Sequence, residues 1–226
     1  MNPTPTPTID TPHHDPAEEA GAKLLHAVER ITDGPEAIRD YVADLRLRYG
    51  EDSEQLAEAA IRAYSNQSAL IGGATALPAL LPGIGTVLSL TAGPLADMVL
   101  LLKLEVELGL ALATIHGFDV RIPEERQLVF LAAALHTAEV SRDRSCLSNT
   151  LEVSASAIWN YTPRRAGKLL ATVATALAAN ALVRGAARAL PLIGIAVGAS
   201  LNKVLTANVG RSLHQDLRTR RRLLGE

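Results

Sequence analysis

Few residues in this chain have the types and spacing that catalysis requires. Asp97 and His116 could serve as acid and base in a lipid-acting enzyme, but no third residue in the sequence can be named that would orient them. Cys146 and His136 could form a thiol and base pair. Cys146, however, lies in a polar stretch that predicts a loop, and nothing in the pattern fixes the geometry of the pair.

Motifs that bind phosphate, activate a serine or hold zinc are missing from the sequence. The run Gly83-Ile84-Gly85 begins a dinucleotide fingerprint, but Leu88 stands where its third glycine belongs. His13 and His14 are adjacent in a Thr-Pro-rich tail and offer a metal ion no fixed geometry. The sequence therefore predicts a protein that is not an enzyme and that uses no metal or cofactor.

Composition places the chain at the apolar border of soluble proteins. Hydrophobic residues make up 48% and charged residues 20%, with a mean hydropathy of +0.15. A net charge of −2 and only one Trp, four Tyr and two Phe give neither the basic surface nor the stacking aromatics of nucleic-acid binding. A single cysteine fits a reducing compartment, and the first residues do not form a secretory signal. We therefore expect a cytoplasmic protein.

Helical periodicity and helix-start signals run through the chain, and no convincing strand pattern interrupts them. Residues 1–14 predict a disordered tail, because Thr-Pro repeats bury little apolar surface. Residues 15–66 predict soluble amphipathic helices. Residues 67–226 predict more apolar helices that glycine and proline interrupt. The expected fold is all-α, a compact multi-helix domain with an N-terminal helical appendage.

Asp97 begins a long apolar helix that Pro94 opens and Gly117 closes. Its carboxylate is expected either near the helix N-terminus, where the helix dipole stabilises a negative charge, or buried beside a partner. Charged residues further along the same helix argue against a span that faces lipid.

A strip of small residues marks the last helical segment. Gly194, Gly198 and Asn202 follow each other at four-residue spacing, which favours the close approach of another helix. If Asn202 is buried, its amide needs a partner, and we expect a hydrogen bond between helices. Contact with a ligand headgroup is the alternative.

The most unusual stretch extends from residue 63 to residue 96 and contains no charged residue. Glycines and prolines divide it into pieces shorter than the roughly 20 residues of a spanning helix, so it suits a buried hairpin or an interfacial segment. The apolar side chains expected to contact lipid are Leu77, Leu80, Leu81, Ile84, Val87, Leu88 and Leu90. The basic side chains expected to touch acidic headgroups are Arg218, Arg220, Arg221 and Arg222.

Four features resemble one known family when they are taken in order. They are ATALPALLPGIGT at 74–86, Asp97, HGFDVRIPEER at 116–126, and LPLIGIAVGASLN at 190–202. In this spacing they resemble the bacterial EcsC family, from about residue 68 to residue 222.

The resemblance implies a helical, membrane-associated bacterial protein of a family named from a gene neighbourhood with an ABC transporter. It implies no established reaction. His116 departs from the family pattern, which tends to have a tyrosine before the glycine of the GFD-like motif.

The leading hypothesis is a non-enzymatic protein at the inner face of the cell membrane that engages lipid through residues 69–93. Its partners would be membrane lipid and a membrane protein or transporter. The alternative is a soluble lipid carrier in which the same segments line an internal apolar cavity. A lipid-acting enzyme that uses Asp97 and His116 is the third hypothesis.

Overall fold

The computed structural model describes residues 16–73, 94–140, 155–187 and 194–225. Within these ranges the chain forms seven α-helices and no strand, which confirms the predicted all-α fold. The helices are α1 (Pro16–Ile31), α2 (Pro35–Tyr49), α3 (Ser53–Gly73), α4 (Pro94–Ile115), α5 (Pro123–Val140), α6 (Pro163–Ala187) and α7 (Gly194–Leu223). A short 3-10 helix, Ala155–Asn160, precedes α6.

Local sequence signals set the helix ends. Five helices begin at a proline, whose fixed φ suits the first helical position and whose missing N–H would have no partner there. These prolines are Pro16, Pro35, Pro94, Pro123 and Pro163. Helix α3 begins instead after Asp52, whose Oδ1 accepts hydrogen bonds from the backbone amides of Glu54 and Gln55, both at 2.9 Å. Gly117 follows α4 with a φ of +82°, as its predicted capping role requires.

Helix α4 is the centre of the bundle and packs against each of the other six α-helices. Charged residues on a helix ordinarily lie on a solvent-exposed face. Glu105 and Glu107 are nevertheless only 0% and 2% exposed, beside fully buried leucines such as Leu108. Because a neighbouring helix covers every face, α4 is a core helix, and its acidic residues lie inside the protein.

The first three helices belong to the same core as the rest of the chain. Leu24 of α1, Val42 of α2 and Leu56 of α3 join one hydrophobic cluster with Leu131 and Leu213. The apolar face of each N-terminal helix needs a covering surface, and α6, α4 and α7 supply it. The structure thus differs from the predicted appendage, and the boundary expected at residue 67 falls inside α3.

Helices α3 and α7 run antiparallel. Arg218 Nη1 lies 2.7 Å from a carboxylate oxygen of Glu54 at the start of α3, and Ser68 Oγ lies 3.1 Å from the Asn202 carbonyl oxygen near the other end. The start of α3 therefore lies beside the end of α7, and the end of α3 lies beside the start of α7.

Helices α4 and α7 run parallel. Glu105 is paired with Thr206 at 3.4 Å, and His116 is paired with His214 at 3.1 Å further along both helices. Residues 73, 94 and 194 therefore lie at one end, which we call the apolar end. The opposite end, with Glu54, His116 and residues 218–222, is the charged end.

Candidate functional site

Arg220 at the charged end is bound within the protein. Its guanidinium donates to both carboxylate oxygens of Glu125, at 2.6 and 2.7 Å. It also lies 4.5 Å from the centre of the Phe118 ring and 4.9 Å from that of Trp159. With its side chain 14% exposed, Arg220 joins α7 to the start of α5 and to the 3-10 helix. This internal role differs from the predicted contact with headgroups.

The neighbouring arginines are also engaged, with one exception. Arg218 pairs with Glu54, and Arg221 donates to the His116 carbonyl oxygen. Arg222 is exposed. From Gly194 to Arg218 helix α7 is about 36 Å long at 1.5 Å per residue. The predicted basic patch therefore lies far from the end of the bundle that residues 74–93 join.

A chain of side chains connects α4, α7 and α3 at the charged end. His116 Nε2 lies 3.1 Å from His214 Nδ1, and His214 Nε2 lies 3.0 Å from Glu54 Oε2. The contact with His214 lowers the pKa of Glu54, so its carboxylate accepts the proton of His214 Nε2–H. A neutral His214 ring that donates from Nε2 has Nδ1 as its acceptor, which faces His116 Nε2. The arrangement connects the exposed carboxylate of Glu54 to the buried ring of His116.

Burial is the main reason that the pKa of His116 falls to about 4, with the nearby His214 and Arg221 acting in the same direction. His116 is thus a neutral buried imidazole near pH 7. Asp97 lies at the other end of α4, about 28 Å away at 1.5 Å per residue. The third hypothesis needs Asp97 and His116 in one site, and the structure does not bring them together.

Asp97 is exposed in the first turn of α4. This is the helix-terminus alternative, in which the N-terminal dipole stabilises the carboxylate. The buried alternative is wrong, because the Asp97 side chain is exposed.

Glu105 is the most deeply buried acidic residue among those described, and the sequence pattern did not single it out. The Thr206 hydroxyl donates to its Oε1, and the Thr137 hydroxyl contacts its Oε2. Thr137 also lies 2.7 Å from the Ala133 carbonyl oxygen. A hydroxyl has one proton, so it cannot donate to both the carbonyl and an ionised carboxylate.

A proton on Glu105 removes this conflict. The carboxylic acid then donates to Thr137, and Thr137 donates to Ala133. Consistent with this arrangement, burial raises the pKa of Glu105 to about 7, although the two threonines and His136 oppose the rise. The centre of the bundle therefore holds a carboxyl group that titrates near neutral pH.

His136 lies beside this group on α5. Its Nε2 is 3.0 Å from Asp216 Oδ2 and its Nδ1 is 3.4 Å from Glu139 Oε2. The contact with Asp216 links α5 to α7. Cys146, the nucleophile imagined for His136, lies outside the described residues.

The predicted small-residue strip is described only from its third member onward. Asn202 is half-buried and meets α3 through its backbone carbonyl, while the surroundings of Gly194 and Gly198 lie outside the described side chains. Four-residue spacing continues from Asn202 to Gly210, where an added Cβ would lie 2.8 Å from Leu108 Cδ2 and 2.9 Å from Ile61 Cγ1. Close packing of α7 therefore occurs further along the same strip.

The side chains predicted to contact lipid at 77–90 also lie outside the described residues. Exposed apolar side chains are nevertheless described at the apolar end. Leu70 of α3 is 63% exposed, and Leu201 and Val204 of α7 are 43% and 55% exposed.

An open cleft of about 580 Å³ lies between α1, α4, α5 and α6. Its floor is apolar and includes Val106, Leu110, Phe130 and Leu170. Its rim is polar and includes Glu29, Asp33, Glu124, Arg126 and Gln127. An apolar floor with a few polar groups at the mouth is typical of sites for small amphiphilic molecules.

Within residues 16–73, 94–140, 155–187 and 194–225, no group of His, Cys, Asp or Glu side chains has the arrangement of a metal site. Over the same ranges, none of the helices has both the length and the apolar character that crossing a membrane requires.

Comparison with protein families matches residues 8–221 to the EcsC protein family. The chain belongs to this family. The match includes α1, α2 and α3, which agrees with their place in the common core and extends the EcsC region beyond the part resembled by motif. No curated protein and no solved structure matched the chain in the corresponding searches.

Proposed function

We propose that this EcsC protein is a non-enzymatic, membrane-peripheral protein that engages lipid through the apolar end of its bundle. The observation that carries the proposal is the exposure of Leu70, Leu201 and Val204 at this end. Burying an apolar side chain of this size contributes about 1.5 to 3 kcal/mol, so a few such contacts support reversible binding to a bilayer surface.

The sequence between α3 and α4 also supports lipid contact at the apolar end. Helix α3 leads into residues 74–93, which contain no charged residue, and α4 follows them at Pro94. The inner face of the cell membrane is the proposed location, and the family resemblance favours a membrane protein or transporter as a partner.

Liposome flotation tests the proposal. Replacement of the three exposed side chains in a Leu70→Gln, Leu201→Gln, Val204→Thr variant is expected to reduce flotation. A matched control replaces exposed leucines elsewhere, Leu47→Gln, Leu223→Gln and Leu224→Gln, and is expected to float as the parent does. Equal flotation of the two variants, or a parent that stays in the bottom fraction, would contradict the proposal.

The cleft favours a second candidate function, a soluble carrier of an amphiphile. Its volume suits a small ligand, but its described walls come from α1, α4, α5 and α6, unlike the cavity expected around residues 69–93. A carrier would remain in the soluble fraction and retain lipid in native mass spectrometry, whereas a peripheral protein would pellet with membranes.

A further inference from the structure

We propose that the cleft between α1, α4, α5 and α6 binds an amphiphile with an apolar tail and a cationic head. The inference rests on the carrier function and names its ligand class. It does not depend on contact with a membrane at the apolar end.

The apolar tail is matched by the floor of the cleft. Leu110 of α4, Phe130 of α5 and Leu170 of α6 belong to the hydrophobic core and also line the cleft. A tail placed here would pack against the core of the bundle and would be removed from water. The open side of the cleft allows the head to remain at the rim, where charged groups are exposed.

The head is selected by the charges of the rim. Glu29, Asp33 and Glu124 are exposed carboxylates, and none of them has an ion-pair partner among the described residues. Arg126 is the opposing charge. Three acidic residues and one arginine give the rim a negative charge, which favours a cation and disfavours an anion.

Helix starts at the cleft do not reverse this preference. Helices α2, α5 and α6 all begin at its lining, and their N-terminal dipoles favour negative charge. Glu36 in the first turn of α2 and Glu124 and Glu125 in that of α5 already complement two of these dipoles. The full charges of the rim therefore exceed the partial charge that remains at α6.

One wall of the rim is held by buried contacts. The Asp33 backbone N–H donates to Glu107 Oε1 at 2.7 Å, and Lys103 Nζ lies 2.6 Å from Glu107 Oε2. The turn between α1 and α2 is thereby tied to the central helix. A positioned carboxylate at Asp33 loses less conformational freedom on binding than one on an untied loop.

Calorimetric titration below micelle-forming concentrations tests the proposal with three probes that share one tail: decyltrimethylammonium, decyl sulfate and decyl maltoside. The parent is expected to bind decyltrimethylammonium about ten-fold more tightly than decyl sulfate at low salt. A Glu29→Gln, Asp33→Asn, Glu124→Gln variant is expected to lose about ten-fold in affinity for the cation while its affinity for the maltoside is unchanged.

A control with the same change in charge removes exposed acids outside the cleft, in Glu18→Gln, Asp40→Asn and Glu58→Gln. It is expected to keep most of the preference for the cation. Equal affinity for cation and sulfate, or equal loss in both triple variants, would overturn the cationic assignment while maltoside binding still supports the carrier. Failure of all three probes to bind would overturn the carrier function and the ligand assignment together.

Discussion

Replacing Glu105 with glutamine is expected to change how stability depends on pH. The amide has nearly the shape of the carboxylic acid and can make the same contacts: its NH₂ donates to Thr137, and its carbonyl accepts from Thr206. Thr137 then continues to donate to Ala133. Glu105→Gln therefore imitates the protonated state and cannot ionise.

The magnitude follows from the pKa of Glu105, which burial raises from 4.5 to about 7. Because the folded carboxyl keeps its proton where the unfolded one has lost it, stability falls as pH rises from about 4.5 to about 7 and then levels off. At about 1.4 kcal/mol per pKa unit, the total loss is about 3 kcal/mol. The glutamine variant lacks this loss.

Urea unfolding followed by circular dichroism between pH 5 and pH 8.5 measures the effect. Relative to the parent, the variant is expected to gain stability across this range, up to about 3 kcal/mol. Other titrating groups affect both proteins equally, so the difference isolates Glu105. An exposed replacement, Glu18→Gln, supplies the control. Parallel profiles for parent and Glu105→Gln would refute the assignment of a proton to Glu105.

Three further predictions concern packing and charge. Gly21→Ala places a Cβ 2.7 Å from the α6 backbone at Thr175 and is expected to cost about 1 to 3 kcal/mol, whereas Gly34→Ala, with open space around it, should stay within about 0.5 kcal/mol in chemical denaturation. Arg220→Ala leaves Glu125 without its partner and is expected to destabilise by about 3 kcal/mol in the same assay, with Arg222→Ala near zero. His116 is expected to remain neutral at pH 5.5 in nitrogen NMR, because its pKa is lowered to about 4, and a signal half-titrated near pH 6.5 would contradict its burial.

Helix boundaries were predictable because they depend on local chemistry. Pro94, Pro123 and Pro163 begin helices for reasons contained within one turn of chain, and Gly117 ends one for a similarly local reason. Burial of Glu105 was not predictable in this way. Its environment comes from residues about thirty and one hundred positions away, and helical periodicity reports the face of a helix but not the number of neighbours that cover it.

Only part of each candidate site was predicted, because contacts between helices leave no local signal in the sequence. His116 stood out as a departure from the family motif, but its partners His214 and Glu54 lie on other helices and carry no shared local signal. Arg220 belonged to a basic run typical of an exposed tail. Its internal role depends on Glu125, which a first-turn acid pattern describes only as a helix-dipole partner.

Because α3 and α4 are antiparallel, residues 74–93 connect two helix ends that lie at the same end of the bundle. Helices α3 and α4 are packed neighbours, and the axes of packed helices are only about 8 to 10 Å apart. A short linker of about four residues is long enough to close such a gap. The connection from α3 to α4 therefore does not require an uncharged segment as long as residues 74–93. A change in the length of this segment is therefore compatible with the same packing of helices around α4.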